Sequence, residues 1–186
     1  MWLVIEHLEP KLSEWLYIEY SSSAKIAGEN LLISNVRRAA DYRRLAKIAR
    51  VERKSALEIF REEEMVLLDP LARKSLSPED LEGRSLILIG GILGNDPPLG
   101  RTRELLSKKL PRALKRNIGR HQFAIDGAVY VARQISSGKR LEEIPVQVGL
   151  EIQIEPGYSN ILPYAFPLAG GKPLISEELI DYLRKH

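Results

Sequence analysis

The chain has 186 residues, 44% apolar and 28% charged, which is enough for one well-filled core and too little for two full domains. The absence of cysteine excludes disulfides, thiolate metal sites, iron–sulfur clusters and a cysteine nucleophile. The most apolar run, Leu86 to Leu93, is interrupted by two glycines, and the start Met1-Trp2-Leu3-Val4-Ile5-Glu6 lacks the basic region of a secretory signal; the expectation is one soluble, cytoplasmic domain over residues 1–186 with no membrane partner.

Trp2 to Glu6 reads as a short buried strand. Pro10 suits a first helical position, and Leu12, Trp15, Leu16 and Ile26 before Gly28 predict a helix over about residues 10–27. Leu31 to Ser34 reads as a second strand. From Asp41 to Glu63 the apolar residues Leu45, Ile48, Ala49, Ala56, Leu57 and Phe60 fall at helical spacing, split into two pieces. Met65 to Leu68 is a third strand, stopped by Asp69-Pro70. Ser77-Pro78-Glu79-Asp80 opens a short helix with capping-box spacing, closed by Gly83. Leu86 to Ile89 is the strongest strand, a continuous apolar run of the kind that a parallel sheet covers on both faces. Arg101 to Lys109 reads as helix, Ala113 to Arg116 as strand and Asp126 to Ser137 as helix; Val146 to Ile154 alternates like an edge strand, and Ser176 starts a terminal helix. Alternation of strand and helix makes the class α/β with a largely parallel sheet flanked by helices.

The net charge of +3 hides two concentrated segments. Residues 37–54 hold eight basic against two acidic residues, net +6, and residues 101–120 hold eight against one, net +7, leaving −10 for the remainder. If both segments share a face, a polyanion is a fitting partner; if not, they are two solvated helix faces.

The loop Gly90-Gly91-Ile92-Leu93-Gly94-Asn95-Asp96-Pro97-Pro98-Leu99-Gly100-Arg101-Thr102 follows the best strand and precedes a helix, where open α/β sheets bind ligands. It is not a nucleoside-triphosphate loop: the glycine spacing is one residue too long, Arg101 stands where lysine belongs, and two prolines lack the N–H that cradles phosphate. The dinucleotide pattern G-x-G-x-x-G is also missing. A loop so rich in glycine and proline lies close to backbone or ligand, so a side chain at Gly91 or Gly94 would fill that space. A second loop, Arg116 to Ala128, runs into a helix with Asp126 near its first turn, which caps free N–H groups or faces a reacting centre. At the first strand end, Glu6 and Glu9, followed by Glu14 and Glu19, either bias a helix start, grip a cation or act as a base. His7, His121 and His186 have no metal spacing, so no metal is expected.

These segments together, Ile5-Glu6-His7-Leu8-Glu9, Glu14-Trp15, Glu19-Tyr20, Leu67-Leu68-Asp69-Pro70, Gly90-Gly91-Ile92-Leu93-Gly94-Asn95-Asp96-Pro97-Pro98 with Arg101-Thr102, and Gly119 through Gln122 to Asp126, resemble the SPOUT class of methyltransferases. The nearest branch in pattern is the one containing a ribosomal-protein arginine methyltransferase and predicted RNA methyltransferases. The resemblance runs in order along nearly the whole chain. It implies a C-terminal trefoil knot, a homodimer, and S-adenosyl-L-methionine as cofactor. The implied cofactor loops are Leu68 and Asp69; Gly90, Gly91, Ile92, Leu93 and Gly94; and Asn117, Ile118, Gly119, Gln122, Phe123, Ala124, Ile125 and Ala128. Glu6, Glu9, Glu19 and Asp126 are the expected catalytic acids, since an arginine acceptor stays protonated and needs carboxylates to orient it and take its proton. The implied acceptor is an arginine of a ribosomal protein. Segment 37–54 is more basic than a purely protein acceptor requires, so ribosomal or transfer RNA stands as the alternative acceptor, and a non-catalytic knotted RNA-binding protein as the alternative of another class.

Overall fold

The computed structural model describes residues 1–94, 99–155 and 157–185. Asn95 to Pro98 of the glycine- and proline-rich loop, together with Pro156 and His186, lie outside the described residues. In chain order the elements are β1 (Trp2–His7), α1 (Glu14–Ala27), β2 (Leu31–Ser34), α2 (Ala39–Leu45), β3 (Arg50–Val51), α3 (Ala56–Ile59), β4 (Met65–Leu68) and β5 (Leu86–Gly91). There follow α4 (Arg101–Leu105), β6 (Leu114–Arg116), α5 (Ile125–Ser136), β7 (Val146–Glu155), β8 (Tyr158–Ala169), β9 (Lys172–Pro173) and α6 (Glu177–Lys185). A 3₁₀ turn, Pro78–Leu81, stands where a short helix is expected.

Six strands form one sheet in the order β3-β2-β1-β5-β4-β6, and every neighbouring pair is parallel. Successive side chains leave a strand on opposite faces, which explains the unbroken apolar runs. Leu3, Ile5, Ile33, Ile87 and Ile89 meet Leu16 and Tyr20 of α1 and Val129 and Ala132 of α5 on one side. Val4, Leu32, Met65, Leu67, Leu86 and Leu88 meet Ala56, Leu106 and Leu110 on the other. Because all six strands run the same way, their carboxyl ends share one edge, and the long loops gather there.

Helix α1 begins at Glu14, later than Pro10, because the Ser13 hydroxyl accepts the Leu16 N–H at 3.2 Å and caps the helix there. Segment 41–63 is not two helical pieces alone. Between α2 and α3 the chain extends into β3, held by Glu52 N–H to Ile33 C=O at 2.9 Å and Val36 N–H to Glu52 C=O at 3.0 Å. The β7 strand is not an edge of the main sheet; it pairs antiparallel with β8 in a separate three-stranded sheet. That sheet and α6 bury Ile152, Leu162, Phe166, Leu179 and Leu183 against Ile18 of α1.

After β6 the chain is pinned to the loop that follows β4. Leu76 N–H donates to Asn117 C=O at 2.8 Å and Asn117 N–H to Lys74 C=O at 2.9 Å, before the chain returns to lay α5 on β1 and β5. This path is consistent with the implied trefoil knot.

At the carboxyl end of β1, Glu6 is buried and lies on the face opposite α1 and α5. Its carboxylate accepts from the Ser34 hydroxyl at 2.5 Å, the Ser55 hydroxyl at 2.5 Å and the Ala56 N–H at 2.8 Å, so it joins β1, β2 and the start of α3. Glu6, expected to orient the acceptor, is thus buried with its carboxylate bonded within the fold. Gly91, at the end of β5, has no room for a side chain: a Cβ would sit 2.7 Å from the Glu6 carbonyl oxygen and 2.9 Å from Ile5, and on top of the Tyr20 hydroxyl. Core packing by itself demands glycine at this position.

Both positions are therefore expected to report on folding. Glu6→Gln should cost about 1.5–3 kcal/mol, the scale of a charge-assisted hydrogen bond, and Gly91→Ala should lower the thermal midpoint further, both measured by thermal and denaturant unfolding. Wild-type stability in either variant contradicts the packing described.

Candidate functional site

A cavity of ≈ 530 Å³ opens at the carboxyl edge of the sheet, within the size range of small-molecule sites. Leu68 and Asp69 after β4, Ile89 and Gly90 of β5, Ile92, Leu93 and Gly94, the segment Asn117 to Phe123, and Ile125 and Ala128 of α5 enclose it. All the expected cofactor-loop residues line it except Gly91, which faces the core, and Ala124, which caps α5. Leu71, Leu99, Arg101, Thr102, Arg120 and His121 also line it and were not singled out in the sequence as binding residues. Leu99, Arg101 and Thr102 lie in the glycine loop and Arg120 and His121 in the second loop read from the sequence, whereas Leu71 carried no signal.

Local hydrogen bonds set each wall. Asp69 is buried, accepting the Leu71 N–H at 2.8 Å and the Ser107 hydroxyl at 2.6 Å, which folds the loop after β4 back on itself. The Asn117 side chain accepts from the Ser75 hydroxyl and the Gly119 N–H, each at 3.0 Å, and donates to Ala72 C=O at 2.9 Å. Gly119 takes φ 114°, a left-handed conformation that suits glycine. Arg116 grips Asp80 with two nitrogens at 2.8 and 2.5 Å, and this pairing holds the Asp80 carboxyl below its usual range. Glu9 accepts the Leu93 N–H at 3.1 Å and an Arg101 nitrogen at 2.9 Å, tying the glycine loop to the start of α4. It is a positioning residue for the cavity wall.

Glu19 and Asp126 come together between α1 and α5, both 4% exposed. One Glu19 oxygen accepts the Trp15 indole N–H at 2.5 Å and the other accepts the Ile125 N–H at 3.0 Å. The carboxylate thus reaches the backbone of a cavity-lining residue. Burial, then the neighbouring Asp126 charge, raises Glu19 to about pKa 7. Burial raises Asp126 to about 6, opposed by hydrogen bonds from the Ser22 hydroxyl and the Gly127 N–H. Two carboxyls competing for a proton near neutral pH are suited to proton transfer.

The cavity fits a nucleoside-bearing sulfonium cofactor. Leu68, Ile89, Phe123 and Ile125 provide apolar walls for a flat base, and Gly90, Gly94 and Gly119 line the cavity without a side chain to fill it.

Residues 2–186 match the family described as protein arginine N-methyltransferase SFM1-like. The chain belongs to that family and, with it, to the SPOUT class of S-adenosylmethionine-dependent methyltransferases. It is 30% identical to the protein arginine N-methyltransferase SFM1 of Saccharomyces cerevisiae, over 98% of this chain and 93% of that protein. The crystal structure of yeast SFM1 complexed with SAH superposes with a TM-score of 0.88 at 29% identity, covering 98% of this chain and 94% of that one. A structure of the dual specific Trm10 from Thermococcus kodakaraensis shares the fold, with a TM-score of 0.58 at 16% identity over 77% of this chain and 96% of that one.

The raised carboxyls predict a pH dependence of stability. Their native pKa values lie above the ordinary 4.5 and 3.8, so the folded state holds protons that the unfolded state has released. Stability is then greatest below those ordinary values and falls as pH rises toward about 7. Asp126→Asn removes one titrating group and the charge that raises the other. Its denaturant-derived stability should decline less between pH 4.5 and 7 than that of the wild type; an equal or steeper decline contradicts the coupling.

Proposed function

We propose that this chain methylates an arginine side chain of a protein, a ribosomal protein being the acceptor read from the sequence, with the cavity at the sheet edge holding the cofactor. The reading is carried by the family match over residues 2–186, and the raised carboxyl pair beside the Ile125 wall supports it. S-adenosylmethionine, when bound, supplies an electrophilic methyl group. The protein's task is to hold one guanidinium nitrogen in line with that methyl and to keep water away.

An arginine is protonated before and after methylation, and one proton leaves the nitrogen that gains the methyl. Glu19 and Asp126 are the proposed acceptors of that proton, since their raised pKa values leave one of the pair able to take it near neutral pH. Their hydrogen bonds to Ile125 and Gly127 fix them at the start of α5. Glu9 holds Leu93 and Arg101 in the cavity wall and does not need to touch the acceptor. Gly94 leaves room for Gln122 and Tyr164, onto whose side chains its Cβ would fall.

Incubation with methyl-labelled cofactor and whole ribosomes, followed by separate protease and nuclease digestion, is expected to give label in methylarginine. Label in nucleosides contradicts the protein acceptor. Glu19→Gln and Asp126→Asn should each lower turnover by roughly tenfold to a hundredfold, the scale of one charge-assisted hydrogen bond, while calorimetric cofactor binding holds. Gly94→Val should weaken cofactor binding and also lower the thermal midpoint, since a side chain there meets Gln122 and Tyr164. Full turnover in both carboxyl variants contradicts their role.

A further inference from the structure

The two basic segments look alike in sequence and differ in the folded chain. In residues 101–120 the cations are mostly answered from within. Arg101 pairs with Glu9, Lys108 with Glu104, Arg112 with Glu62 and Glu63, and Arg116 with Asp80, while Lys115 is bonded to the carbonyls of Leu110, Pro111 and Ala113. In residues 37–54 only Arg38 and Arg44 have carboxylate partners among the described residues, Asp41 at 3.7 Å and Glu14 at 2.5 Å. Arg37, Arg43, Lys47, Arg50, Arg53 and Lys54 are exposed and have no ion pair there. Such a surplus of unanswered charge is unfavourable in the free protein and favourable against an anion.

Three of these cations, Arg37, Arg53 and Lys54, come together in the fold. Asn35 N–H donates to Lys54 C=O at 2.9 Å, and Arg53 reaches the Arg37 carbonyl at 3.2 Å, which sets the residues after β2 beside those after β3. Three guanidiniums lie over aromatic rings: Arg44 on Tyr17 at 3.8 Å, Arg53 on Tyr42 at 4.8 Å and Arg50 on Trp2 at 5.2 Å. Arg44 is already paired with Glu14, whereas stacking restrains Arg50 and Arg53, which have no ion pair among the described residues, and leaves them suited to grip a phosphate. Besides the cations, the exposed residues of the segment are Ala39, Ala40, Ala46 and one acid, Glu52, so the surface lacks the large apolar anchors that protein interfaces use. A repeating anion of one sign is the partner that fits.

Its position couples it to the cavity. Arg37 and Arg53 follow β2 and β3, on the same edge of the parallel sheet as the cavity at the ends of β5, β4 and β6. From β3 to β5 is three strand spacings, roughly 14 Å at ~4.8 Å each. We infer that the surface formed by Arg37, Arg43, Lys47, Arg50, Arg53 and Lys54 docks the phosphate backbone of RNA, so that the methyl acceptor is presented by a ribonucleoprotein and not as a free chain. This rests on the proposed reading of the cavity as the methyl-transfer site.

The test is fluorescence anisotropy of the full chain with a labelled single-stranded RNA of about 20 nucleotides, longer than a typical single-strand site. Wild-type affinity is expected to fall linearly on a log–log salt plot, and the variant Arg37→Ala/Arg43→Ala/Lys47→Ala/Lys54→Ala should lose roughly tenfold or more, with its salt slope reduced by about 3. Arg103→Ala/Lys109→Ala, in the other basic segment, should bind as the wild type does. No salt-dependent binding, equal loss in both variants, or displacement by polyglutamate as effective as by unlabelled RNA would each overturn the inference. Calorimetry of cofactor binding runs alongside: intact cofactor binding with no RNA binding defeats this inference alone, whereas absent cofactor binding defeats the reading of the cavity.

Discussion

Glu19 carries a carboxylate into the interface between α1 and α5, where burial and the nearby Asp126 both disfavour its charge. Two donors compensate in part, the Trp15 indole from the preceding turn of α1 and the Ile125 N–H at the start of α5. The second bond fixes where α5 begins, and Ile125 and Ala128 on its first turns are walls of the cavity. The buried acid therefore links the packing of two helices to the shape of the site. A neutral side chain of the same shape would be easier to bury, so a carboxyl here costs stability.

A parallel sheet brings its loops to one edge, and that single constraint arranges the rest. The turn after β4, the glycine run after β5 and the segment after β6 converge on one cavity although they are widely separated in sequence. The segments after β2 and β3 carry Arg37, Arg53 and Lys54 to the same edge. Glu9, just past β1, sits between them and clamps Leu93 and Arg101. The cavity, the buried Glu19–Asp126 pair and the cations after β2 and β3 are thus neighbours by topology.

The strands β1, β2, β4 and β5 were legible because a strand covered on both faces leaves an unbroken apolar run. β8 was not, since Pro163 and Pro167 interrupt it and its partner β7 is irregular between Val148 and Leu150. β3 was hidden because Leu45, Ile48 and Ala49 have helical spacing, while the strand is made by backbone bonds to Ile33 and Val36 far along the chain. Among the site residues, the glycine loop could be located but not its faces: Gly90 lines the cavity and Gly91, one residue on, faces Tyr20. The acids show the same limit. Glu6 is claimed by Ser34 and Ser55, 28 and 49 residues away, and such partners leave no local pattern. The two basic segments could not be ranked for the same reason, since the acids that neutralise the second come from residues 9, 62, 63 and 80.

The central claim is that Glu19 and Asp126 compete for a proton near neutral pH beside the cavity wall. Carbon-detected NMR titration of the side-chain carboxyls in the full chain tests it directly. The account predicts that at least one of the two titrates between about pH 6 and about 7, and that Asp126→Asn shifts the Glu19 transition downward. Two independent transitions at the ordinary values of 4.5 and 3.8, unmoved by the substitution, would contradict it.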